Sequence, residues 1–172
     1  LTAVGGSAVG GWDHLKVLLT AQAAGVENVV QIPYVSFSSG GQAIVEIIGG
    51  RADVFTGDIS EALPQIEAGN LKVLAVLSDD RIDAAPDVPT AKEQGVDFVG
   101  ANWRGFYVPA DVSDERYEYW ADAFRQLEGS AEYAEVRADN GLAPFARFGD
   151  EMDTFVRNQA ANIAELSAQL GN

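Results

Sequence analysis

The 172-residue chain is 47% hydrophobic, enough for one globular domain, or one and a half small lobes, with a core of its own. Its net charge of −15, from 26 acidic and 11 basic residues, works against nucleic-acid and anionic-membrane partners at long range. The lack of cysteine excludes disulfides, thiolate metal sites and cysteine nucleophiles, and no stretch approaches the ~18–20 apolar residues of a membrane helix. The opening Leu1-Thr2-Ala3-Val4 carries no basic leader region, so the chain reads as a mature product or a cut fragment.

Taken in order, Thr2–Gly5 reads as a strand. The glycine-rich loop Gly5-Gly6-Ser7-Ala8-Val9-Gly10-Gly11 follows, then a helix over His14–Ala24 stopped by Gly25. A strand at Val29–Tyr34 leads to a second loop, Ser36-Phe37-Ser38-Ser39-Gly40-Gly41, and a helix over Gly41–Ile48 stopped by Gly49-Gly50. Strand Ala52–Thr56 and helix Glu61–Ala68, ended by Gly69, repeat the pattern. Strand Leu71–Ser78, a short helix Thr90–Gln94 with Gly95, and strand Val96–Tyr107 repeat it again. Glycine after a helix supplies the left-handed stop. Apolar runs without alternation suit strands covered on both faces. The expected fold is an open, layered α/β sheet.

Beyond Pro109 the character changes. Ser113-Asp114-Glu115-Arg116 reads as a capped helix start running to about Leu127, with Trp120 in its core stripe. A shorter helix covers Glu132–Asp139, an extended piece Pro144–Phe148, and a last helix Asp150–Leu170. These pieces cannot build a sheet of their own.

The two loops carry the functional signal. In open α/β sheets, ligands sit at the carboxyl ends of strands where helices begin. A glycine-rich turn admits close backbone approach, and a helix N-terminus offers unpaired N–H groups and partial positive charge. Two such cradles facing one sheet edge suggest a ligand with more than one anionic group. Because the chain is so acidic, binding must be local, within a screening length of ~8–10 Å. Neither loop fits a P-loop or a G-x-G-x-x-G fingerprint.

Several segments together resemble one family: Gly5-Gly6-Ser7 through Asp13-His14, Pro33 through Ala43, Ile48 through Asp53, Ile66-Glu67-Ala68-Gly69, Asp87-Val88-Pro89-Thr90 and Ala101 through Phe106. In order and spacing they resemble the tripartite tricarboxylate transporter substrate-binding proteins, the TctC or Bug extracytoplasmic solute receptors. The resemblance implies a type II periplasmic-binding-protein-like fold: one complete α/β lobe over residues 1–100, then a hinge return strand and C-terminal helices over 101–172 that belong with the other lobe. It implies capture of a small, citrate-like di- or tricarboxylate outside the cytoplasmic membrane, on its periplasmic or extracellular face, and delivery to membrane subunits of a secondary transporter. It implies no enzyme activity, no cofactor and no nucleic acid. Lacking the first lobe's Pro-Gly-Gly loop, the chain would hold half a cleft and expose apolar surface on its tail, predicting self-association.

The residues expected at the ligand are Gly6, Ser7, Ala8, His14, Ser38, Ser39, Gly40, Gly41, Asp58 and Arg104. Each has a plainer role to set against it. The glycines and serines suit a strand-to-helix turn, and His14 one turn into its helix suits loop capping. Asp58 suits the N-cap of the following helix, and Arg104 a salt bridge in an acidic protein, although Arg is well shaped for carboxylates. Two rival functions remain on sequence grounds: the effector-binding domain of a transcriptional regulator, and an α/β enzyme acting on a phosphorylated substrate, for which no paired catalytic groups stand out.

Overall fold

The structure is a computed structural model and describes residues 1–169. The apolar start of the chain forms strand β1 (Ala3–Gly5), flanked in parallel by β2 (Tyr34–Ser36) and β3 (Val54–Thr56), giving strand order β2-β1-β3. The register pairs Gly5 with Ser36 on one side and with Thr56 on the other. Central β1 is covered on both faces: Ala3 and Val4 are 0% and 1% exposed. The fold is therefore α/β on a parallel sheet, each strand feeding a helix: α1 (Trp12–Ala23), α2 (Gly40–Ile48) and α3 (Ile59–Glu67).

α1 and α2 bury apolar residues against the sheet, and α3 packs against α2. Leu15, Leu18 and Leu19 of α1, Ala43 and Ile44 of α2, and Ala62 of α3 join Val4 in the core. A fully buried leucine such as Leu18 contributes about 1.5–3 kcal/mol. After α1 the chain turns through Gly25, at φ 86°, and after α3 through Gly69, at φ 74°, where a Cβ would be strained.

Four expectations are corrected. Val29–Tyr34 is not a strand: Val29–Gln31 forms a short 3-10 turn and the strand begins at Tyr34. The pairing partner decides this, because the Ala3 N–H bonds the Pro33 carbonyl at 2.9 Å and draws the next residues onto β1. Leu71–Ser78 contributes a single parallel bridge, Val76 to Thr90. Val96–Tyr107 forms no strand, and its link to the preceding stretch is the Gly100 N–H to Leu77 carbonyl bond at 2.9 Å. Isolated bonds do not make a ladder. Thr90–Gln94 shrinks to a 3-10 turn at Lys92–Gln94.

The chain divides into two compact units, residues 1–101 carrying the sheet and residues 102–164 being helical. The second contains α4 (Asp114–Glu128), α5 (Ala131–Asp139) and most of α6 (Gly149–Gln169). Ser113 and Ser130 cap α4 and α5, accepting the N–H of Arg116 and Tyr133 at 3.4 and 3.2 Å. Aromatic rings hold this unit together: Trp103 meets Phe155 edge-on at 5.3 Å, and Phe106 stacks on Phe124 at 4.5 Å. Trp120, expected in the core, is 50% exposed, and Phe106 is 81% exposed. The expected helix end at Leu170 lies outside the described residues. Among the described residues, no helix is long and apolar enough to cross a membrane.

Candidate functional site

Parallel pairing puts the carboxyl ends of all three strands side by side, so the loops leaving Gly5, Ser36 and Thr56 emerge from one edge. Each loop runs into the N-terminus of α1, α2 or α3. The first two loops touch. A Cβ on Gly6 would lie 2.5 Å from the Gly40 nitrogen and 2.8 Å from the Ser39 carbonyl carbon, so only glycine allows this approach.

In the first loop, Ser7 works locally. Its Oγ accepts the Asp13 N–H at 3.0 Å, within the first turn of α1, and its carbonyl accepts the Tyr34 hydroxyl at 2.9 Å. The Ala8 carbonyl accepts the Gly11 N–H at 2.8 Å. His14 Nδ1 accepts the Gly10 N–H at 3.0 Å, which leaves the proton of the neutral ring on Nε2. Burial lowers the His14 pKa and so favours this neutral form. The imidazole lies against Tyr34 with ring centres 4.7 Å apart. Burial raises the Tyr34 phenol pKa, opposed by its bond to Ser7. Val9, His14, Leu18, Val30, Ile32 and Tyr34 line a shallow cavity of about 280 Å³ beside this loop.

The second loop is a capping arrangement. Ser39, in extended conformation, accepts the Gln42 N–H at 3.4 Å, while Gln42 Oε1 reaches back to the Ser38 N–H at 3.2 Å. The Gly40 N–H is taken by Glu61 Oε1 at 3.1 Å, from the first turn of α3. Gly41 starts α2 with room around it, its nearest neighbour for a Cβ being Ser39 Oγ at 3.9 Å. Asp58 occupies the N-cap position of α3, and its carbonyl accepts the Glu61 N–H at 3.2 Å.

The first unit thus brings Gly6, Ser7, Ala8, His14, Ser38, Ser39, Gly40, Gly41 and Asp58 to one sheet edge; Arg104 is carried by the second unit. Sequence reasoning missed Glu61, whose role rests on a contact 21 residues away in the chain. It also missed the buried ion pair of Lys16 and Asp13 in α1, 2.9 Å apart with side chains 3% and 13% exposed. Two consecutive polar residues, Asp13-His14, at the head of an apolar helix were the available hint for that pair.

Chemically the edge offers backbone N–H groups, hydroxyls and one neutral imidazole. His14 Nδ1 faces a backbone N–H and not a carboxylate, so it lacks the orientation a serine-activating base receives from an acid. Among the described residues, no group of three or more His, Asp or Glu side chains stands close enough to hold a metal ion.

Residues 3–171 match the sequence profile described as the tripartite tricarboxylate transporter family receptor. The chain belongs to this family. Protein BugT of Bordetella pertussis is 26% identical over 166 residues, covering 96% of this chain and 50% of that protein. The chain spans about half the length of the curated relatives it matches. Among solved structures, the Rhodopseudomonas palustris protein Rpa4515 with adipate superposes with a TM-score of 0.85 at 23% identity, over 99% of this chain and 56% of that one. MatC from the same organism, with bound malate, gives 0.80 at 22%, over 96% and 56%. At such identities the likeness shows the fold.

Proposed function

We propose that this chain is one lobe and the hinge return of an extracytoplasmic solute receptor, carrying half of its ligand cleft. In this reading it captures a small di- or tricarboxylate, citrate-like in chemistry, on the outer side of the cytoplasmic membrane. It then delivers the ligand to the membrane subunits of a tripartite tricarboxylate-type secondary transporter. The observation that carries the reading is the convergence of three strand ends and three helix N-termini at one sheet edge, in a chain of this receptor family. Such termini favour anions through N–H groups and helix dipoles. Relatives of the same fold have been solved with adipate and with malate, both dicarboxylates.

Residues 1–100 then form one wall of the cleft, with Gly6, Ser7, Ala8, His14, Ser38, Ser39, Gly40, Gly41 and Asp58 as the groups nearest the ligand. Residues 101–172 supply the hinge return, with Arg104, and the helices that join the other lobe. Capture is a hinge closure that commits the ligand without chemistry. The exposed aromatic residues of the second unit, Phe106 and Trp120 among them, would be covered by the other lobe. The chain alone would self-associate through them.

Thermal-shift and calorimetric titration of the full-length protein with mono-, di- and tricarboxylates tests this. A true ligand at a hundred times its dissociation constant stabilises by about 2.7 kcal/mol. No response to any carboxylate, with a response to nucleotides or sugar phosphates, would overturn the reading.

A further inference from the structure

The first glycine loop is held near both ends by one pair of rings. His14 Nδ1 accepts the Gly10 N–H at 3.0 Å, and the Tyr34 hydroxyl donates to the Ser7 carbonyl at 2.9 Å. The rings lie against each other, 4.7 Å apart at their centres. The two arms of this clasp differ in chemistry. A phenol keeps its proton until far above neutral pH, and burial moves Tyr34 further up. An imidazole accepts through Nδ1 only while it is neutral; as imidazolium both its nitrogens are donors. An Nδ1–H would face the Gly10 N–H, donor against donor. Gly10 has room to turn away, with a φ of 83° and no atom within 4 Å of where a Cβ would stand. Ser7 and Gly11 keep their own bonds, to the Asp13 N–H at 3.0 Å and the Ala8 carbonyl at 2.8 Å. The movement is thereby confined to the turn at Val9-Gly10.

We infer that the His14–Tyr34 pair is an acid-released clasp on the first loop: closed while His14 is neutral, and opened at Gly10 when the imidazole takes up a proton. The surroundings leave this decision to His14 itself. The cavity beside its ring is lined by Val9, Leu18, Val30, Ile32 and Tyr34, none of them charged at neutral pH. On its own helix the charged neighbours are Asp13 and Lys16, paired with each other at 2.9 Å. From β2 the titratable neighbour is Tyr34, which stays neutral throughout. Burial opposes protonation of the ring, so the clasp is closed at neutral pH and is lost only as the pH falls through the His14 titration. Acid then reshapes the first loop without disturbing the sheet or the start of α2. The device does not depend on which ligand the edge receives.

His14 is the only histidine in the sequence, so its ring gives one unambiguous nuclear magnetic resonance signal in the labelled full-length protein. The test follows the His14 ring nitrogens and the Gly10 amide as the pH is lowered from about 7.5 through the His14 titration. At neutral pH the ring should carry its proton on Nε2, and its midpoint should lie below about 6.5. The Gly10 amide signal should shift with that same midpoint. Its protection from exchange, corrected for the intrinsic effect of pH, should fall about two- to tenfold, the worth of one hydrogen bond. His14→Gln offers an acceptor with no proton to gain, and His14→Phe keeps a ring on Tyr34 with no acceptor. Both should lose the Gly10 step, the phenylalanine variant showing the acid-form loop at every pH. A neutral ring protonated on Nδ1 overturns the inference, and so does a Gly10 signal that does not follow the wild-type His14 titration. A Gly10 step that persists in both variants assigns the change to another group and overturns it equally.

Discussion

Replacing Gly6 with alanine tests the contact that joins the two loops. The added Cβ would lie 2.5 Å from the Gly40 nitrogen, 2.8 Å from the Ser39 carbonyl carbon and 3.2 Å from the Gly40 Cα, where ordinary contact begins at 3.4 Å. All three are backbone atoms at the capped start of α2, so no side chain can swing aside. The loops must part by roughly 1 Å, and overpacking of this kind costs about 1–3 kcal/mol. For a chain of this size that lowers the melting temperature by about 2–4 °C per kcal/mol, or about 2–12 °C in all. Gly41→Ala is the matched control. Its Cβ would meet nothing nearer than Ser39 Oγ at 3.9 Å, and alanine in a helix is favoured over glycine by about 0.5–1 kcal/mol. The two neighbouring substitutions should therefore move stability in opposite directions, read by calorimetry or circular dichroism. Gly6→Ala melting at or above wild type would refute the loop contact, and so would an equal loss in Gly41→Ala.

Other outcomes are specific to single residues. Ser39→Ala removes the cap of α2 and should cost about 1 kcal/mol in urea denaturation. Ser39→Asp keeps the cap but adds a charge beside Glu61, so it should leave the melting temperature nearly unchanged and abolish carboxylate binding by calorimetry. Lys16→Met strands the buried Asp13 carboxylate and should cost about 3–5 kcal/mol, much of it recovered in the double variant with Asp13→Asn. His14 has its pKa lowered by burial, so below about pH 6.5 the unfolded chain takes up the proton first and stability falls. As the pH falls below about 6.5 the wild-type melting temperature should drop more steeply than that of His14→Gln; parallel curves would refute the effect of burial on His14.

The helices that begin at Ser39, Ser113 and Ser130 were legible in the sequence because their ends are written in neighbouring residues. Ser39 with Gln42, Ser113 with Arg116 and Ser130 with Tyr133 are caps made within three residues, and each begins a helix where the pattern places it. Strands have no such local mark. Val29–Tyr34, Leu71–Ser78 and Val96–Tyr107 are apolar runs of similar character, yet only residues from Tyr34 onward, drawn in by the Ala3–Pro33 bond, join the sheet. A run becomes strand only where a neighbour offers a ladder, and hydrophobicity does not say which runs will find one.

The candidate site divides along the same line. That two glycine loops share an edge followed from strand–loop–helix order, although the strand feeding the second loop was displaced by several residues. That the second loop is already capped by Ser39, Gln42 and Glu61 could not be read, because Glu61 arrives from the next helix and looks in sequence like any acid in a first turn. The same glycine-and-serine pattern serves both an open anion cradle and a closed cap. Which one it is depends on whether another part of the chain supplies a partner for the N–H groups. Here the first loop spends its serine and histidine on its own turn, and the second takes a carboxylate from α3.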